Sequence, residues 1–283
     1  MTSGTSNHKN NSTVLPAWLK VVLFILAAFL FAILYYIPFS IIPDFERHGV
    51  HQLILSQTVL LLGFASAYYF FNRFIENQSS LPRYFKWSTR FFFIGLTYGF
   101  IFITVCAGVM ALTGIVSFKF SEFYFDLILY LILMFLVSAA EELAFRGYIL
   151  NALSSSYGKI SGILASSFLF GLVHLMNDNS TLFGVLTISL FGVFAALSFN
   201  RFSSIWVPIG AHLSWNYTQG SVFGSAISGH ERVGVFNMYY HSDISYLTGG
   251  DFGLEGSVFL TIIILVAIGI EFYRGKVSPK KGT

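Results

Sequence analysis

Residues 124–153 read YFDLILYLILMFLVSAAEELAFRGYILNAL. The run is long enough to cross a bilayer, because a transmembrane helix needs about 20 mainly apolar residues. Its second half nevertheless carries Glu141, Glu142 and Arg146. An ionisable side chain at membrane depth costs several kcal/mol unless it is paired or faces a polar cavity. We therefore predict a membrane helix that contributes to a functional site.

The whole chain has the composition of a membrane protein. Hydrophobic residues make up 55% and charged residues only 10%, whereas about a quarter of a soluble domain is charged. Apolar runs of membrane-spanning length recur at 18–42, 52–72, 91–115, 124–153, 159–176, 181–199, 204–220 and 257–273. These runs are too long for strands and show no period-two alternation, so strands are not expected. The prediction is an all-α fold, a polytopic transmembrane bundle of about eight helices in the lipid bilayer.

The runs and the polar segments between them divide the chain into five parts. The net charge of +3 is too small to indicate nucleic-acid binding, so no nucleic acid is expected as a partner. The predicted parts are a polar cytoplasmic N-terminal tail (1–17), N-terminal transmembrane helices (18–123), a core with the candidate site (124–220), an outer Gly-rich loop (221–256), and the last transmembrane helix with a basic tail (257–283).

The basic residues predict the orientation in the membrane. With a cytoplasmic N-terminus and eight alternating helices, thirteen of the 16 Lys and Arg residues lie on the cytoplasmic side. Only Arg47, Lys119 and Arg232 then lie outside. Because basic residues concentrate in cytoplasmic loops, we place both termini in the cytoplasm.

The acidic pair of the fourth run is divided between two helix faces. Glu142 and Arg146 are four residues apart and share a face, whereas Glu141 points about 100° away. Arg146 can therefore neutralise Glu142, which leaves Glu141 for another partner. An intrahelical salt bridge alone would account for Glu142 and Arg146 but not for Glu141. Because two adjacent carboxylates disfavour each other's ionised form, one of them is suited to act as a general base.

Two later runs carry histidines in pairs with the same spacing of four: Phe170 shares a helix face with the polar His174, and His212 shares one with Asn216. Alone, each would indicate a satisfied core histidine or hydrogen bonding between helices. At about 1.5 Å per helical residue, however, Glu141 and these polar groups lie about 12 to 22 Å from the cytoplasmic end. A shared buried site explains why three separate helices bring polar groups to a similar depth.

The motifs Glu-Glu-x-x-x-Arg at 141–146, Phe-x-x-x-His at 170–174 and His-x-x-x-Asn at 212–216 resemble those of the CPBP family of intramembrane peptidases. This family includes CAAX proteases and bacteriocin-processing enzymes. The stretch TGGDFGLEG at 248–256 resembles bacterial members, and the first three predicted helices carry no motif. The resemblance implies a helical bundle that cleaves a peptide bond. The implied catalytic residues are Glu141, Glu142, Arg146, His174, His212 and Asn216.

The resemblance also implies a division of roles. Glu141 would activate the attacking water, and His174 would help to hold or deprotonate it. Glu142 and Arg146 would hold the helix and tune Glu141.

His212 and Asn216 would face the developing oxyanion, a polar arrangement that lowers the barrier to acyl transfer. A metal-dependent mechanism and a metal-free glutamate mechanism both remain open, with zinc as the candidate metal and Glu141, His174 and His212 as its candidate ligands. The chain lacks a His-Glu-x-x-His segment, and we favour the metal-free mechanism.

The expected substrate is a membrane-associated peptide or protein. The bacterial character of the resemblance indicates a pheromone, a bacteriocin or a membrane protein in a bacterial cytoplasmic membrane. One alternative is a non-catalytic membrane scaffold or bacteriocin-immunity protein, which we would expect to lose motif residues. A secondary transporter is a third hypothesis, but it predicts inverted repeats with paired helix breaks, and neither is visible in the sequence.

The orientation is testable with C-terminal fusions. A fluorescent protein that folds only in the cytoplasm should fluoresce when fused to the C-terminus. A phosphatase that folds only outside the cytoplasm should have no activity there. A fusion to the loop that contains Arg232 is the control and should give the opposite pattern. An active phosphatase at the C-terminus would contradict the orientation.

Overall fold

The computed structural model describes residues 15–40, 49–123, 125–230 and 234–277, and within them the chain is mainly helical. Short π-helical segments extend three helices, at Phe71–Ile75, Leu143–Ile149 and Tyr217–Val222. The α-helices are α1 (Ala17–Ser40), α2 (Gly49–Phe70), α3 (Thr89–Leu112), α4 (Leu127–Glu142), α5 (Leu150–Tyr157), α6 (Lys159–Val173), α7 (Leu182–Phe202), α8 (Trp206–Asn216), α9 (Ser245–Thr248) and α10 (Val258–Val277). The strands are β1 (Val116–Phe120) and β2 (Phe236–Tyr240).

Six helices within the described residues are long and apolar enough to cross a membrane. They correspond to the first six runs of the sequence, and the fourth is one continuous span from Leu127 to Tyr157. The last two runs form α8 with its π-helical extension and α10, which are not among these six. The protein is an integral, multi-pass, all-α membrane bundle, and eight is an approximate number of helices.

Helix α1 shows how the bundle meets lipid. Phe24 and Ala28 are fully buried, whereas Leu26, Leu30 and Ile33 on the opposite side are more than half exposed. A soluble helix would carry polar residues on that exposed side. Because apolar side chains cover both sides, the outer side is suited to contact lipid tails.

Glycines bring α3 and α8 unusually close together. A Cβ atom at Gly99 would overlap the carbonyl oxygen of Ala211 and the hydroxyl of Ser214. Gly95 and Gly210 have similarly close backbone neighbours across the same interface. Small residues spaced by four allow helix backbones to approach in membranes. This contact fixes the position of α8, the helix that carries His212 and Asn216.

The expectation that the chain forms no strands is wrong outside the membrane-spanning helices. β1 and β2 pair antiparallel, from Val116 opposite Tyr240 to Phe120 opposite Phe236. Each strand has five residues, about half the length that crosses a bilayer. A search for alternation over membrane-length runs therefore misses them, and the partner strands lie far apart in the sequence.

The described part of segment 221–256, the predicted Gly-rich outer loop, contains short folded elements. It contains the end of the π-helical extension of α8, then β2 and α9. Gly229, with a φ of 87°, lies directly against the carbonyl oxygen of Asp178, and Gly253, with a φ of 98°, against that of Ala226. A side chain at either position would be strained and would collide with backbone. The first contact holds the segment against the connection between α6 and α7, and the second holds two parts of the segment together.

The α3–α8 contact predicts contrasting effects for two glycines of α3. Gly99→Val should cost about 1–3 kcal/mol of stability, because the added side chain must push α8 away. Gly108→Val is the matched control, because a Cβ at Gly108 meets no atom within 4 Å. Thermal unfolding of the two purified variants in detergent measures the difference, and equal melting temperatures would contradict the packing.

Candidate active site

A cavity of about 400 Å³ lies inside the bundle. It is lined by four of the six predicted site residues: Glu141, His174, His212 and Asn216. They come from α4, the end of α6 and α8, so the structure brings the three sequence motifs together. Glu142 and Arg146 are not part of the cavity lining; they lie behind it.

Glu142 is the link between two motifs. It is 0% exposed, and its Oε1 accepts hydrogen bonds from Arg146 Nη1 and from His212 Nδ1, each over 3.1 Å. Arg146 also donates to the carbonyl oxygen of Gly192 on α7 and lies 4.4 Å from the ring centre of Phe170. The predicted separation of the two carboxylates is therefore present: Glu142 is neutralised by Arg146, and Glu141 points elsewhere.

Glu141 projects into the cavity from the last turn of α4. Its side chain is 28% exposed, and Oε2 lies 4.0 Å from His212 Nε2. That oxygen is buried and accepts no hydrogen bond from the described residues. The chain becomes π-helical directly after Glu142, at Leu143–Ile149, a distortion that is frequent at functional sites. Glu141 is thus a partly exposed carboxylate on the cavity wall, and one of its oxygens accepts no hydrogen bond from the described residues.

His174 ends α6 on the other side of the cavity. Its Nδ1 donates to the carbonyl oxygen of Phe170 over 2.7 Å. A carbonyl only accepts, so in the neutral ring the proton lies on Nδ1 and Nε2 has a free lone pair. The spacing of four therefore places the carbonyl oxygen of Phe170 where it orients the imidazole of His174.

Two aromatic rings pack against His212. The ring centres of Phe170 and Phe191 lie 5.9 and 5.6 Å from that of His212. Asn216 follows one turn later on α8 and is buried at the cavity wall. These rings exclude water from the side of the imidazole, which strengthens its electrostatic interactions with the neighbouring carboxylates.

The predicted metal ligands do not form a metal site in this structure. Within the described residues, no group of three or more His, Cys, Asp and Glu side chains is arranged to hold an ion. Glu141 Oε2 and His212 Nε2 are 4.0 Å apart, and His174 donates Nδ1–H to a backbone carbonyl. Because the described residues contain no group of three such side chains gathered around one point, we derive no step through a metal. The preference for a metal-free mechanism stays a prediction.

Glu255, for which the sequence predicted no role, also lines the cavity and is only 2% exposed. Its Oε2 accepts from the backbone N–H of Ser228 over 2.6 Å, and its Oε1 accepts from Ser228 Oγ and Trp215 Nε1, each over 3.2 Å. The available signal was an acidic residue inside a Gly-rich stretch before the last helix. Leu53 and Gln57 of α2 also line the cavity, and no pattern in the sequence marked them as site residues.

Comparison with known proteins gives one match. Residues 123–218 match the family model described as Rce1-like, type II CAAX prenyl endopeptidase. No curated protein and no solved structure matches the chain significantly. The matched range contains all six predicted site residues and supports, at the level of the family, an intramembrane endopeptidase. Residues 123–218 are therefore similar to the Rce1-like type II CAAX prenyl endopeptidases, which is consistent with the resemblance of the motifs to the CPBP and CAAX protease family.

Proposed function

We propose that this protein is an intramembrane endopeptidase that hydrolyses a peptide bond of a membrane-associated peptide or protein. The observation that carries the proposal is the cavity into which Glu141, His174, His212 and Asn216 project from three helices of the matched domain. Each of these polar groups would be costly at membrane depth without a partner or a polar function.

Glu141 acts as the general base in this proposal. Its partly exposed carboxylate takes a proton from a water molecule as the water oxygen attacks the carbonyl carbon of the substrate. The electron pair of the carbonyl π bond moves to its oxygen. The free Nε2 of His174 accepts a hydrogen bond from the same water and so orients it.

His212 and Asn216 stabilise the negative charge that develops on the carbonyl oxygen. His212 keeps its Nδ1–H bond to Glu142, so it can donate from Nε2 only as an imidazolium, in which both nitrogens carry protons. Glu142 and Arg146 orient this ring and balance its charge. When the intermediate collapses, the C–N bond breaks and the protonated Glu141 returns its proton to the leaving amine, which completes the addition of one water.

The walls of the cavity favour a substrate with apolar side chains near the cleaved bond. Leu133 and Met134 of α4 and Leu53 of α2 line it together with the polar groups. Membrane-anchored pheromone or bacteriocin precursors are the class we propose, in a bacterial cytoplasmic membrane with both termini of the protein inside. Prenylated proteins, which the family description names, are the other class to include in a substrate search.

Glu141→Gln should abolish proteolysis, because the amide cannot accept the proton of water. We expect a loss of about a hundredfold or more in rate. The measurement compares newly formed peptide termini by mass spectrometry in membranes that hold the wild type or the variant at equal abundance. Glu122→Gln, an exposed carboxylate outside the cavity, is the matched control and should retain activity. Identical termini with Glu141→Gln would instead favour a non-catalytic scaffold or immunity protein.

The neighbouring carboxylate should behave differently in stability. Glu142→Gln leaves Arg146 buried without its counter-ion, which costs about 3 kcal/mol or more. Glu141→Gln should leave the melting temperature of the purified protein near that of the wild type, since Glu141 lies in no such buried pair. If both variants unfolded at the same lowered temperature, the assignment of separate roles to the two carboxylates would be wrong.

A further inference from the structure

Glu255 differs from the buried or part-buried carboxylates of Glu76, Glu142 and Glu271, because each of those three has a Lys or Arg partner. No Lys or Arg within the described residues lies at ion-pair distance from Glu255. Three hydrogen-bond donors satisfy its oxygens but carry no charge. The pairs formed by the others are Lys20–Glu76, Arg146–Glu142 and Arg201–Glu271, with N–O distances of 3.0, 3.1 and 2.7 Å.

A buried carboxylate without a cation is energetically unfavourable. Burial raises the pKa of Glu255 above its ordinary range, although hydrogen bonds from Ser228 and Trp215 act in the opposite direction. Such a group gains stability when a cation comes within a few ångströms. Since Glu255 lines the cavity, a molecule that enters the cavity can supply that cation.

Glu255 also lies outside the part of the chain that matches the family model, which ends at residue 218. The cavity thus includes residues from outside the matched domain. The proposed catalytic side chains come from the matched domain, whereas Glu255, Ser228 and Ile227 come from the segment that follows it. The proposed reaction needs the first group, and selectivity between substrates can be set by the second.

We propose that Glu255 is a specificity-determining residue that binds a cationic group of the peptide substrate. The group is either a Lys or Arg side chain near the cleaved bond or the free amino terminus of the peptide. The aliphatic part of a basic side chain can lie along Leu133 and Met134, as such side chains do on apolar surfaces, while its charge reaches the carboxylate. The inference rests on the proposed proteolysis and adds its substrate class.

The test uses purified wild type, Glu255→Gln and Glu141→Gln in detergent. The probe is a peptide mixture produced from total protein by a Glu-specific protease, so that Lys and Arg remain inside the peptides. We expect wild-type cleavage sites to be enriched in nearby cations. Glu255→Gln should reduce the rate ratio between a Lys peptide and its norleucine analogue by about tenfold or more, because a buried charge pair is lost.

A chemical treatment of the mixture distinguishes the two sources of the cation. Lysines are converted to homoarginine, which keeps their charge, and the α-amines are then acetylated. A preference that survives supports recognition of a basic side chain, whereas one that disappears supports recognition of the amino terminus.

Ser228→Ala is the matched control for a structural effect. It removes one hydrogen bond to Glu255 but keeps the carboxylate charge, so the preference for cationic peptides should remain even if the rate falls. Glu141-dependent cleavage without a cation preference, or a preference unchanged in Glu255→Gln, would overturn the inference and leave the protease function intact. A lack of any Glu141-dependent cleavage would overturn both.

Discussion

The fully buried carboxylate of Glu142 is bound at the same oxygen by Arg146 on its own span and by His212 on α8. Unpaired, a charge at this depth would cost several kcal/mol, and removal of one partner of a buried pair is strongly destabilising. Through these two partners, Glu142 therefore constrains α4 and α8 at once. It fixes the register of α8 against α4 and thereby sets the distance between His212 and Glu141, which lie on the cavity side.

The rest of the bundle supports this geometry. Gly95, Gly99 and Gly210 allow α8 to lie directly against α3, so α8 is held from the side opposite Glu142 by backbone contact rather than by flexible side chains. Phe170 packs at once against Arg146 and His212 and accepts the hydrogen bond of His174 through its carbonyl oxygen. One aromatic residue thus couples the three motifs.

Sequence reasoning predicted the local part of this arrangement. The spacing of four places Glu142 beside Arg146, and His174 beside Phe170, because neighbours on a helix face are fixed by helix geometry alone. The lengths of the apolar runs predicted the membrane spans, because the rise per residue of a helix sets how many residues cross a bilayer. The pairing of His212 with Glu142 could not be predicted, since periodicity carries no information about which faces of two helices meet.

The missed features are non-local as well. Glu255 lines the cavity although it lies in a Gly-rich segment whose sequence has no helical or strand periodicity. β1 pairs with β2 although the whole of residues 121–235 separates the two strands in the sequence. Leu53 and Gln57 belong to a helix that carries no motif. The family match ends at residue 218, so the part of the cavity that we propose distinguishes substrates lies largely outside the match.

The central claim is that the cavity between Glu141 and the His212–Asn216 pair is where the peptide bond is cleaved. The most direct measurement is a structure of the Glu141→Gln variant with an uncleaved substrate bound. The account predicts that the scissile carbonyl oxygen lies within hydrogen-bond distance of His212 Nε2 and the Asn216 side chain, with its carbon facing residue 141. A substrate bound elsewhere on the bundle, with its scissile bond remote from these side chains, would contradict it.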